Sequence, residues 1–238
     1  MTEARPPVAI LCGGRGTRLR EKTAEIPKAL VEIGGIPIVS HVIGIYADQG
    51  FQRFLLLTGH KGEMISEWVA EQDWDDGISV EAVPTGEETP TGGRIKRAAP
   101  LLEAGTFCVT YADGVADIDL GAELGFHRSH GAEGTVAVTR PRLQFGVARL
   151  GEDDSVEGFE EKPMLDMWIN GGFFCFEPAF LDRLEEDHVL EQEPLAGLAA
   201  DGQLRAFRHE GFWDCMDTYK DAVTLDDLCA RGEAPWRA

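Results

Sequence analysis

The sequence predicts an α/β fold with a Rossmann-like, mixed and mostly parallel central sheet flanked by helices. Three observations carry that prediction. Short apolar runs alternate with amphipathic stretches through the first half of the chain, which is the rhythm of βαβ units. A glycine-rich cationic loop follows the first apolar run directly. Beyond Gly131 the pattern becomes strand-rich before helices return near the end. With 238 residues and 43% hydrophobic composition the chain can fill one substantial core, and no internal repeat or low-complexity linker divides it. Residues 1–238 are therefore read as a single domain.

The elements follow in order. Val8 to Leu11 is a strand by its unbroken apolar run. Val39 to Asp48 carries Val39, Val42, Ile43, Tyr46 and Ala47 at helical spacing, with Gly50 placed to stop the helix. Arg53 to Thr58 is a buried strand built on its Phe-Leu-Leu-Leu run, and Met64 to Glu71 is a helix with Ile65, Trp68 and Val69 on one face. Strands are expected at Ile78 to Val83 and Thr106 to Thr110, then a helix from Leu120 to His130 capped by Gly131. Four strands follow, Thr135 to Thr139, Phe145 to Leu150, Val156 to Phe159 and Ile169 to Phe176, and then helices at Pro178 to Glu186, Pro194 to Ala200 and Thr218 to Arg231.

Charge narrows the partners. With 42 acidic against 22 basic residues the formal net charge is -20, which argues against nucleic acid or an acidic membrane as partner. The start of the chain opposes the trend: through Lys28, Arg5, Arg15, Arg18, Arg20, Lys22 and Lys28 stand against Glu3, Glu21 and Glu25. Local positive charge in an acidic protein suits an anionic small molecule. Five scattered cysteines without a C-x-x-C pair indicate neither a disulfide framework nor a zinc site. No leader-like apolar segment and no run of membrane-spanning length occurs, so a cytoplasmic protein is expected.

Leu11-Cys12-Gly13-Gly14-Arg15-Gly16-Thr17-Arg18 reads as a polyphosphate loop. Glycines 13, 14 and 16 let backbone N–H groups approach the ligand, while Arg15, Arg18 and Lys28 supply charge. Neither common fingerprint fits, because Gly16 is followed by Thr17 and Arg18 instead of Lys-Ser/Thr, and the third glycine of G-x-G-x-x-G is Leu19. Thr89-Pro90-Thr91-Gly92-Gly93-Arg94 is a glycine turn opening a basic helix start, suited to a nucleoside or phosphate or serving as a plain connector.

Asp113 follows a strand and stands where open α/β sheets bind ligands; it is a magnesium ligand or a turn aspartate bonding its own backbone. Asp117-Ile118-Asp119 has the D-x-D form of many glycosyltransferases, but it reads mainly as the cap of the next helix. The spacing of Asp113, Asp117 and Asp119 excludes an EF-hand. Lys162, before Pro163, projects from a strand end toward a second phosphate or into solvent. In Ile169-Asn170-Gly171-Gly172 the two glycines within an apolar strand signal close backbone approach, and Asn170 offers donors and acceptors to sugar hydroxyls. Asp217 is a helix cap or a second metal ligand. No Ser/His/Asp or Cys/His set stands out.

In order along the chain, Leu11 to Arg18, Pro27-Lys28, Thr91 to Arg94, Ala112-Asp113-Gly114, Glu161-Lys162-Pro163, Ile169 to Phe174 and Met216-Asp217-Thr218 resemble the sugar-1-phosphate nucleotidyltransferases, most closely those that use CTP. The resemblance spans nearly the whole chain, including Glu191-Gln192-Glu193-Pro194-Leu195. It implies that CTP and a hexose 1-phosphate such as glucose 1-phosphate give a CDP-sugar and pyrophosphate, with dTTP or UTP, or a different sugar 1-phosphate, as the alternative. It further implies an N-terminal half that holds nucleotide through Leu11, Gly13, Gly14, Arg15, Gly16, Thr17, Arg18, Lys28, Thr89, Thr91, Gly92, Arg94 and Ala112. A C-terminal half would hold the sugar phosphate through Glu161, Lys162, Asn170 and Gly171, with Arg18, Lys28 and Lys162 in the reaction and Mg²⁺ on Asp113 and Asp217. A homo-oligomer is expected. Two departures stand out: Ala112 replaces the family's usual glycine, and the segment between Val83 and Thr91 is shorter than in typical cytidylyltransferases. A nucleotide-sugar glycosyltransferase using Asp117 and Asp119, or a binding protein without turnover, are the competing readings; both leave part of the motif set unexplained.

Overall fold

The computed structural model describes residues 5–19, 23, 25–143 and 145–237; Arg20 and Lys22 of the basic stretch lie outside them. The chain opens with β1 (Val8–Cys12), a small ribbon of β2 (Glu32–Ile33) and β3 (Ile36–Pro37), then α1 (Ile38–Ala47), β4 (Arg53–Thr58), α2 (Gly62–Glu71), β5 (Ser79–Pro84) and α3 (Thr91–Leu102). It continues with β6 (Phe107–Tyr111), β7 (Gly114–Ala116), α4 (Leu120–His130), β8 (Gly134–Thr139), β9 (Val147–Leu150), β10 (Val156–Glu160) and β11 (Ile169–Phe176). A 3-10 segment (Pro178–Arg183), α5 (Glu193–Ala200), β12 (Leu204–Arg208), β13 (Trp213–Cys215) and α6 (Tyr219–Ala230) complete it.

Seven strands form one sheet in the order β12-β8-β11-β6-β1-β4-β5. β11 runs against both of its neighbours, whereas β12 with β8, β6 with β1, β1 with β4 and β4 with β5 are parallel. The expected mixed, mostly parallel sheet is therefore present. Alternation along the strands separates two cores. Val8, Ile10, Phe54, Leu56, Cys108 and Phe173 face α1 and α6, and Ala9, Leu11, Leu55, Leu57, Val109 and Phe174 face α3 and the 3-10 segment.

The ends of the elements follow from local chemistry. Gly50 adopts a positive φ of 84°, which lets its N–H and that of Phe51 return to Ala47 and Tyr46 and closes α1. Gly131 ends α4 in the same left-handed way, and Asp119 starts that helix by accepting from the Ala122 N–H at 2.7 Å. The helix expected over 178–186 is a tight 3-10 run that stops at Arg183, because Leu184 turns extended to bury its side chain.

The strands expected over 145–150 and 156–159 do not enter the sheet. Among the described residues β9 and β10 pair only with each other, and Phe145, Leu150, Val156, Phe159, Met164 and Met167 around them are exposed. Among the described residues no helix is long and apolar enough to cross a membrane.

Candidate active site

From β1 the chain moves to β4 and β5 on one side, then returns to place β6 on the other. The carboxyl ends of β1 and β6 therefore flank a topological switch point, where sheets of this kind bind ligands. A cavity of about 440 Å³ opens there. Leu11, Cys12, Gly13, Gly14, Gly16, Thr17 and Arg18 line one side, Thr89, Pro90, Thr91 and Arg94 a second, and Lys28, Ala29, Tyr111, Ala112, Asp113 and Asp217 the floor.

The glycines of the loop do different jobs. A Cβ on Gly14 would meet nothing within 4 Å, so its backbone is open to the cavity. A Cβ on Gly13 would overlap the Arg94 guanidinium instead. Gly16 has a φ of +59°, which turns the chain into the 3-10 segment Thr17–Leu19, and its carbonyl accepts from the Leu19 N–H and the Thr23 hydroxyl.

Arg94 is 4% exposed, and its guanidinium donates to the carbonyls of Gly13, Thr58, Gly86 and Glu87 and to the Thr85 hydroxyl. It rims the cavity, but its donors are spent on clasping the glycine loop to β4 and the 85–87 segment. Arg15 points away to an ion pair with Glu88 and does not line the cavity. Gly92 is also outside the lining. It and Gly93 lie in the first turn of α3, not in a preceding turn, and their missing Cβ atoms admit the backbone of Glu186 and His188.

At the floor, a short ribbon does what the linear sequence does not announce. β7 pairs with β13, Gly114 opposite Cys215, and the Asp113 carbonyl accepts from the Met216 N–H at 2.9 Å. Asp113 and Asp217, more than a hundred positions apart, thus lie side by side. The residue that caps α6 is Thr218, in a capping box with Asp221, which leaves the Asp217 carboxylate free to face the cavity. Lys28 stands between the two acids, 2.5 Å from Asp113 Oδ2 and 3.0 Å from Asp217 Oδ1, and Arg18 donates to Asp217 Oδ2 at 2.5 Å. Burial alone pulls the Lys28 ammonium down, but Asp113 and Asp217 more than reverse that and raise it. Asp217 is lowered: burial opposes its ionisation, and Lys28 and Arg18 outweigh it.

Burial, reinforced by Asp113, raises Cys12, and burial with the nearby carboxylates pushes Cys215 up to about 12.

Glu161, Lys162, Asn170 and Gly171 do not line this cavity. Lys162 has a positive φ of 49° at the end of the β9–β10 hairpin, and a Cβ on Gly146 would meet Glu161 Oε2. The Gly171 carbonyl accepts from the Trp213 indole, and a Cβ there would press on the Ala137 carbonyl, which accounts for the glycine by packing. Asn170 donates to the Tyr111 hydroxyl at 3.3 Å, and Tyr111 reaches the cavity. Tyr111 also donates to Glu191, whose other oxygen accepts from Thr91 at 2.9 Å. Sequence reasoning gave neither Tyr111 nor Glu191 a role; the available signal was Tyr111's place as the last residue of a strand ending at the switch point. Asp119 caps its helix, and Asp117 pairs with His209 at 3.1 Å, so the D-x-D acids are engaged elsewhere.

Residues 8–214 match the nucleotidyl transferase family, and the chain belongs to it. The chain is similar to the glucose-1-phosphate cytidylyltransferase of Salmonella typhi, 40% identical over an alignment that covers 96% of this chain and 97% of that one. It is also similar to the mannose-1-phosphate guanyltransferase of Gibberella zeae, at 34% identity over 92% of this chain and 62% of that protein. In fold it matches HddC from Yersinia pseudotuberculosis with a TM-score of 0.72, 24% identity, and coverage of 96% and 100%.

Proposed function

We propose that the protein transfers a CMP group from CTP to glucose 1-phosphate, giving CDP-glucose and pyrophosphate. The observation that carries this reading is the pairing of Asp113 and Asp217 around Lys28 beneath a glycine loop, in a chain similar end to end to a glucose-1-phosphate cytidylyltransferase. In-line attack of a sugar phosphate on the nucleotide's α-phosphate needs positioning and charge neutralisation, not a covalent nucleophile. The backbone from Gly13 to Thr17 cradles the triphosphate, and Arg18 and Lys28 neutralise it. The nucleoside is assigned to Leu11 on one side of the cavity and Thr89 and Thr91 on the other, with base choice resting on backbone contacts near Leu11 and Thr89.

The floor fits a divalent cation. One ammonium already touches both carboxylates, and among the described residues no group of three or more metal-ligating side chains occurs. A cation here relies on two carboxylates plus substrate oxygens and water, which is how Mg²⁺ is usually held. Asp113 and Asp217 would hold it, and it would supply charge stabilisation to the transferring phosphoryl group. The sugar phosphate is assigned to the Asn170 side of Tyr111, with Lys162 guiding the attacking phosphate and Glu161 and Gly171 beside the sugar. The five cysteines are free, which suits a reducing cytoplasm. The test is pyrophosphate release with each nucleoside triphosphate against a panel of sugar 1-phosphates in Mg²⁺. The CTP and glucose 1-phosphate pair is expected to lead by kcat/KM, and release with no pair sinks the reading.

A further inference from the structure

Before any ligand arrives, the carboxylates of the floor are already in use. Three of their four oxygens each meet a cationic donor: Asp113 Oδ2 and Asp217 Oδ1 meet Lys28, and Asp217 Oδ2 meets Arg18. The Lys28 side chain is 17% exposed and that of Asp113 26%, so water screens this pair only partly. A dication approaching alone meets an ammonium at the point where it has to bind. Evicting Lys28 without giving it another anion leaves a half-buried charge unpaired, a costly state. A triphosphate changes that balance, because its oxygens offer Lys28 and Arg18 new partners on the glycine-loop side of the same cavity.

We propose that Lys28 and Arg18 form a cationic latch that keeps a divalent ion off Asp113 and Asp217 until a triphosphate draws both side chains away, so that nucleotide and metal bind as one coupled event. This rests on the reading of the cavity as a nucleotide site. It predicts that removing a cationic side chain from the floor strengthens binding of metal alone, the reverse of what loss of a merely structural residue does.

The probe is Mn²⁺ without nucleotide, followed by the EPR signal of the free ion, on the full-length protein. Lys28→Met is expected to bind Mn²⁺ about tenfold more tightly than the wild type or better, the usual range of a coupling free energy. Arg18→Ala, whose side chain is 75% exposed and adds no folding risk, is expected to gain a smaller factor. Arg15→Ala removes the same charge from the same loop, away from the carboxylates, and is expected to leave Mn²⁺ affinity unchanged. Thermal melts confirm folding, and if Lys28→Met does not fold, Arg18→Ala against Arg15→Ala decides the matter. No gain in either floor variant, or an equal gain in Arg15→Ala, overturns the latch. Calorimetry of CTP on the wild type in the presence of Mg²⁺ separates the two ideas. CTP binding with no floor-variant gain defeats the latch alone, whereas absence of CTP binding defeats the nucleotide reading itself.

Discussion

Arg94→Met tests whether the glycine loop is shaped from below. Methionine keeps an unbranched stem but removes every donor. Of the five acceptors, Thr58 O keeps the Thr85 N–H and hydroxyl, and Gly13 O keeps the His60 N–H at 3.3 Å. The carbonyls of Gly86 and Glu87 lose their charged partner. At roughly 2 kcal/mol for each hydrogen bond to a charged group, the loss is about 4 kcal/mol. At about 3 °C per kcal/mol for a chain of this size, the Tm falls by about 12 °C. CTP affinity falls with it, because the Gly13 carbonyl is then held only by the longer bond from the His60 N–H. The assay is a thermal melt beside CTP calorimetry below the transition. Arg94→Lys is expected to recover little, since one ammonium cannot span five acceptors. A variant that melts like the wild type yet no longer binds CTP refutes this reasoning and makes Arg94 a direct nucleotide ligand.

Three further outcomes follow. Glu123 is wholly buried in α4 with Oε1 unpartnered, and burial raises its pKa from 4.5 to about 8. The native state keeps this proton while the unfolded chain releases it, so stability is fully present below pH 4.5 and is lost as pH rises toward 8. Glu123→Gln is expected to remove roughly 2–3 kcal/mol of that decline between about pH 5 and 7, read from urea midpoints, and parallel profiles for the two proteins count against it. Gly93→Ala drives a methyl group into the Glu186 carbonyl and is expected to cost about 3 kcal/mol by chemical denaturation; an unchanged midpoint contradicts the packing described. Asp119→Ala loses a helix cap worth about 1 kcal/mol but keeps pyrophosphate release, whereas Asp113→Asn cuts turnover at least about 10²-fold; the opposite pattern favours the D-x-D pair as the working acids.

The sheet was legible because buried parallel strands read as short apolar runs, and β4 and β11 have the bounds their patterns gave. The phosphate loop was legible because glycine and arginine cluster within a few positions after such a run. Contacts that join distant positions were not. The three-residue ribbon β7–β13 is too short to leave a periodic signature, yet it sets Asp217 beside Asp113. Cap position was one residue out of reach, since Asp217 and Thr218 are both good caps and only the Asp221 carboxylate chooses between them. The hairpin β9–β10 was legible as two strands, but its place outside the main sheet was not. Its apolar residues carry a strand pattern, but their exposure is a tertiary property that periodicity does not encode. Arg94 looked like a phosphate ligand because an arginine after two glycines says nothing about which carbonyls surround it.

The segment between the 3-10 run and α5 lies across the amino end of α3, where the Gly93 N–H donates to His188 O and the Leu190 N–H to the Thr91 hydroxyl. That strap fastens one rim of the cavity from outside, and its acidic residues Glu185, Glu186 and Glu191 are exposed. A protease specific for glutamate therefore meets a cleavage region whose intactness and cavity shape are linked, although no strand of the main sheet passes through it. A nick there is expected to loosen the Thr91–Glu191 contact while leaving β1, β4 and β6 paired, so the earliest fragments of a limited digestion are expected to report on the cavity before the fold.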